Sequence, residues 1–108
     1  MAGEIPEGLA IERIWTVESA YAPDAAERRA PVRAEHLARI AELREAGTIL
    51  EAGAFADMSG SLILLRAASE AEALAIVQAD VYFRSGVWTD CRIRALGRVA
   101  RQHEIPTR

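Results

Sequence analysis

From Leu9 onward, apolar and polar residues alternate with a period of two: Leu9, Ile11, Arg13, Trp15 and Val17 interleave with Ala10, Glu12, Ile14 and Thr16. With its β-branched and aromatic content, this stretch predicts a first strand. Residues 1–8 hold Gly3, Pro6 and Gly8 without periodicity and read as a flexible leader. Residues 19–30, with Pro23, Asp24 and a run of alanine and charge, read as a connection. The period then lengthens. Pro31 suits a first helical position, where its missing N–H leaves nothing unpaired. At about 100° per residue, Val32, His36, Ile40 and Leu43 share one stripe, flanked by Leu37 and Ala41. Glu35, Arg39 and Glu42 share the opposite side. Gly47 provides a left-handed stop, so a helix is predicted from Pro31 to about Ala46.

Two short apolar runs follow, Thr48–Phe55 and Ser61–Ala67, separated by Met58, Ser59 and Gly60, and they predict a hairpin. Asp57 and Gly60 suit its turn. Ser69 followed three residues later by Glu72 is a capping-box signature, and Glu70 to Ala79 continues as a second helix. Gly86 opens a fourth strand, Val87–Leu96, which the remaining residues either extend or leave as a tail. The order strand, helix, strand, strand, helix, strand is the split β-α-β arrangement of ferredoxin-like folds, an α+β class with an antiparallel sheet. Leu62, Ile63, Leu64 and Leu65 stand in succession, so both faces of the sheet need cover there. Two helices cover one face. A second copy packed sheet to sheet would cover the other, and a homodimer is expected.

The 108 residues suffice for one domain, and a hydrophobic fraction of 51% with 27% charged residues is that of a globular chain. All 13 basic residues are arginine, so lysine Schiff-base chemistry is excluded. One cysteine, Cys91, and two histidines, His36 and His103, make a poor donor set for a metal, and neither metal nor other cofactor is expected. The net charge of -3 divides unevenly: residues 1–83 hold seven Arg against fourteen acids, and 84–108 hold six against two. A basic tail on an acidic chain does not suit nucleic-acid binding, although Arg92, Arg94, Arg98 and Arg101 would attract a small anion. No apolar run is long enough for a membrane span, and no secretory pattern opens the chain, so a cytoplasmic protein is expected.

The predicted topology brings the start of the first helix, the end of the second and the start of the fourth strand to one end of the fold. His36 and Asp80, 44 positions apart, therefore meet. Histidine is the side chain most readily tuned to move protons near neutrality, and a carboxylate on its second nitrogen fixes the tautomer. Asp80, just past a helix, faces the negative end of the dipole and favours a nearby cation. The alternative is a packed histidine beside an ordinary turn aspartate. Tyr82, Phe83 and Trp88 gather at the same end as walls for a planar ligand, or as core. Cys91, inside a strand, reads as a packed thiol, and His103 as exposed.

The stretch Ala34-Glu35-His36-Leu37-Ala38, the Gly47 stop, the hairpin with Asp57 and Gly60-Ser61-Leu62, the helix Ser69 to Ala79, and Ala79-Asp80 leading to Gly86-Val87 resemble the YCII-related (YciI-like) family. The likeness spans residues 9–97, leaving 98–108 as a C-terminal extension. It implies a ferredoxin-like protomer of the dimeric α/β-barrel superfamily, with His36 and Asp80 as the proposed catalytic pair. The chain departs from the family at Val81 and Ala54, where proline is common, and at Leu96, where an aromatic residue is usual. The few enzymatic members resemble lyases or dehydrochlorinases acting on hydroxylated aromatic compounds. Two functional readings follow. One is a small cofactor-independent lyase or isomerase in which His36 is general acid or base, Asp80 orients it, and Arg92 or Arg94, with Tyr82 and Trp88, binds a small aromatic or anionic substrate. The other is a non-catalytic dimeric module that binds a ligand or partner.

Overall fold

The computed structural model describes residues 3–107; of the leader and tail, Met1, Ala2 and Arg108 lie outside the described residues. Strands β1 (Leu9–Tyr21), β2 (Ile49–Ala54), β3 (Gly60–Leu65) and β4 (Trp88–Arg101) form one antiparallel sheet in the order β2-β3-β1-β4. Helices α1 (Ala25–Arg29), α2 (Arg33–Glu45), α3 (Glu70–Gln78) and α4 (Val81–Arg84) complete the chain, followed by a 3-10 turn at Gln102–Glu104. This is the α+β ferredoxin-like order expected from the sequence, with two short helices added.

Side-chain alternation puts Trp15 and Val17 of β1 and Ile63 and Leu65 of β3 on one face, where they pack with Ile40, Ala73, Val77 and Val81 of the helices. Leu62 and Leu64 point the other way and remain half-buried. The period-two pattern is broken in β2, where Leu50 is extra and Ile49 turns into the core, and again in β4. Ala20 pairs with Asp90 but Tyr21 pairs with Trp88, so Thr89 is an extra residue in β4. Such a bulge reverses the parity of everything before it. Trp88 thereby joins Tyr21, Cys91 and Ile93 on the helix side, whereas Arg92 and Arg94 lie on the outer face.

Helix α2 starts at Arg33, two residues after Pro31, because Val32 N–H closes a turn onto the Arg29 carbonyl (3.0 Å). Its end follows the sequence signal: Gly47, at φ 81°, donates to Arg44 and Thr48 donates to Leu43, the paired bonds of a Schellman stop. Ser69 caps α3 by accepting from Glu72 N–H (3.1 Å), while the Glu72 carboxylate reaches Ala68 N–H (3.2 Å). At Gly60 any Cβ would lie 2.2 Å from the Ser19 carbonyl oxygen, so only glycine lets β3 approach β1 this closely. Beyond Leu96 the chain stays in the sheet as far as Arg101, paired with Leu9. Glu12 then ties the ends together, accepting from Arg66 Nε (2.6 Å) and Arg98 (3.1 Å), and these hydrogen bonds lower its pKa.

Candidate functional site

Asp80 occupies the junction where α3 stops and α4 starts. Its backbone N–H bonds back to Val77, and its side chain caps α4 by accepting from Tyr82 N–H at 2.8 Å. Asp80 has the helix end expected before it and a second helix after it. Asp80 sits at the positive start of α4 as well as past the end of α3, because the four residues Val81–Arg84 turn helical instead of running straight into β4. At 1% exposure the carboxylate still has three donors: Oδ1 takes Tyr82 N–H and His36 Nδ1, the latter also at 2.8 Å, and Oδ2 takes Arg39 (3.2 Å). Burial alone would raise its pKa, but the His36 and Tyr82 hydrogen bonds, with the His36 and Arg39 charges, outweigh it and hold it below the usual carboxylate range.

His36 is presented from the first turn of α2 and is 9% exposed. Its ring stacks on Tyr82 at 3.7 Å and 7°, and meets Trp88 edge-on at 5.5 Å. Because an ionised carboxylate only accepts, Nδ1 carries the proton shared with Asp80. In the neutral ring Nε2 is then the nitrogen with the lone pair, and it has no hydrogen-bond partner among the described residues. The imidazole borders a cavity of about 160 Å³ between α2, β2 and β3, lined also by Tyr21, Arg29, Arg33, Ser61, Tyr82 and Trp88. Larger surface hollows, such as the 380 Å³ one beside Glu12, Arg66 and Ile105, contain no imidazole.

The sequence expectations divide here. Tyr82 and Trp88 line the same cavity as His36. Arg92 and Arg94 do not: Arg92 pairs with Asp90 on the exposed outer face, and the bulge at Thr89 leaves both arginines across the sheet from the cavity. The arginines at the cavity are Arg29, from the connection read as irregular, of which part is helix α1, and Arg33, the first residue of α2. Arg39 was placed on the polar side of its helix, yet it reaches Asp80 and the Ile76 carbonyl (2.9 Å). Its position three residues after His36 was the available signal. Burial raises the pKa of Tyr82 and of Cys91, whose sulfur accepts from Ser19 (3.0 Å), so both stay protonated. His103 lies exposed in the final 3-10 turn. Among the described residues no three His, Cys, Asp or Glu side chains are placed to share a metal ion, and no helix is long and apolar enough to cross a membrane.

The family model of the YCII-related domain matches residues 14–96, which include both β-strand neighbours of the site and the His36–Asp80 pair. The chain belongs to the YCII-related family. Among solved structures this YCII-related chain is similar to 5-chloro-2-hydroxyhydroquinone dehydrochlorinase (TftG) from Burkholderia phenoliruptrix AC1100, in complex with 2,5-dihydroxybenzoquinone. The superposition has a TM-score of 0.66 at 21% identity and covers 75% of this chain and 90% of that one. At that identity the likeness establishes the shared fold. No curated protein sequence matches the YCII-related chain.

Proposed function

We propose that this protein is a small cofactor-independent enzyme of lyase or isomerase type, acting on a one-ring aromatic or anionic substrate. One observation carries the reading: a buried 2.8 Å Nδ1–Oδ1 pair whose imidazole lines a cavity. With the ring neutral, Nε2 is the base. It takes a proton from the substrate, the resulting imidazolium is stabilised by ionised Asp80, and the proton returns to a leaving group or a second position. Arg39 and Tyr82 N–H keep the carboxylate ionised and fixed, and the Tyr82 ring holds the imidazole plane. TftG supports the class, since its ligand and named reaction concern hydroxylated single rings.

The test is a screen of hydroxylated and halogenated one-ring compounds, read as halide release or as exchange of substrate hydrogen for solvent deuterium. Turnover by the native protein that disappears in His36→Gln supports the assignment. Turnover unchanged in that variant would refute the role of His36, and a panel without turnover or exchange would leave the chain a binding module.

The working unit we propose is a cytoplasmic homodimer. Leu62 and Leu64 form part of a hollow of about 250 Å³ on the outer face, beside Phe55, and a second sheet packed there would bury them. A lone thiol, held protonated by burial, suits a reducing compartment. Leu64→Glu is expected to convert a dimer into a monomer by light scattering at micromolar concentration. A native protein that is already monomeric there would contradict the dimer.

A further inference from the structure

The cavity is chemically lopsided. Two guanidinium groups, Arg29 and Arg33, line it, and no carboxylate does. Seven other arginines (Arg28, Arg39, Arg44, Arg66, Arg84, Arg92 and Arg98) have an acidic partner, whereas Arg29 and Arg33, like Arg13, Arg94 and Arg101, have none among the described residues. Both lie near enough to Tyr82 for their charges to act on its phenol.

A second observation is independent of charge. Among the described residues three buried side-chain polar atoms lack any hydrogen-bond partner, and two of them, Ser61 Oγ and Trp88 Nε1, belong to residues of this same cavity wall. Ser61 is 6% and Trp88 4% exposed, so water does not freely serve them. Buried groups left unpaired are rare and costly in native proteins. The chain's other indole, Trp15, follows the rule by donating to the Ala67 carbonyl at 3.0 Å. An indole N–H can only donate, so whatever completes Trp88 must offer an acceptor. The volume, about 160 Å³, is close to that of a void known to hold one benzene ring.

We propose that the cavity binds a one-ring carboxylate, its carboxylate held by Arg29 and Arg33 and a second oxygen on the ring accepting from Trp88 Nε1 and Ser61. A planar carboxylate matches the fork of a guanidinium, and the ring lies among Tyr82, Trp88 and Ile40. This rests on the cavity being the substrate site of the proposed enzyme, and it names the substrate class through residues distinct from the proton-moving pair.

The experiment uses the two indole N–H resonances of the full chain as reporters while benzoate and the three monohydroxybenzoates are titrated in. The Trp88 signal should move saturably and the Trp15 signal should stay. The corresponding benzamides should bind at least about tenfold more weakly, and Arg29→Gln and Arg33→Gln should each weaken the carboxylates by about tenfold. The same substitutions should leave the benzamides unaffected. An unmoved Trp88 signal throughout the panel, or equal binding of acid and amide, would overturn the proposal. His36→Gln should retain carboxylate binding. Binding kept with turnover indifferent to His36 would sink only the catalytic reading, whereas efficient turnover of uncharged rings alone would sink only this one.

Discussion

His36→Gln is expected to lower turnover of any substrate of this site by about 10²–10⁴-fold, the usual contribution of a positioned general base. Asp80→Asn should approach the same loss by a different route. The asparagine oxygen keeps the Oδ1 position, because Tyr82 N–H and His36 Nδ1–H both require an acceptor there. The amide NH₂ then faces Arg39, donor against donor, and Arg39 turns away. The imidazole therefore retains its tautomer but loses the charge that stabilises its protonated form. Nitrogen shifts of the His36 ring, with kcat measured on the same samples, separate the two effects. A variant that keeps the native tautomer and the native kcat would show that the Asp80 charge has no part in catalysis.

The second large effect concerns stability. Asp80→Ala leaves a capped N–H, an imidazole N–H and a guanidinium without their acceptor in a site of 1% exposure. Removing one member of a buried charged pair costs about 3–5 kcal/mol. The low end applies, since the Arg39 side chain is 27% exposed and can turn to water, and His36 can remain neutral. About 3 kcal/mol lowers Tm by more than about 10 °C in a chain of this size. The pH dependence has a definite sign. The folded carboxyl titrates below its unfolded value of about 3.9, so its stabilisation is complete above that value and is lost as pH falls through the folded pKa. The carboxyl's share of the gap between native protein and variant should thus close on acidification through that range. Denaturant melts at a series of pH values measure it, and a gap below about 0.5 kcal/mol at neutrality would refute the account.

How far the sequence reached depended on the range of the signal. The Gly47 stop, the Ser69 cap and the hairpin at Asp57, where Asp57 Oδ1 accepts from Ser59 N–H (2.9 Å), are local and were legible. The meeting of His36 with Asp80 followed from element order alone, which fixes the end of the fold at which each residue lies. Helices α1 and α4 were missed because five and four residues are too few for periodicity to register. Without α4 the capping role of Asp80 was invisible, and only the α3 end of its two helix dipoles was read. Arg29, Arg33 and Arg39 were passed over for Arg92 and Arg94, since guanidiniums reach several ångströms from their backbone and alternation gives no face when one residue is extra. No residue type announced the bulge at Thr89; its cause is the pairing of β4 with β1 more than sixty positions away.

That supernumerary threonine insulates two chemistries carried by neighbouring positions of one strand. Trp88 belongs to the cavity wall, and Arg92, four residues later, to the far side of the sheet. Surface charge beyond Thr89 is therefore free to drift in sequence without retuning the pocket, while the loss of that single residue would exchange an indole for solvent at the cavity wall.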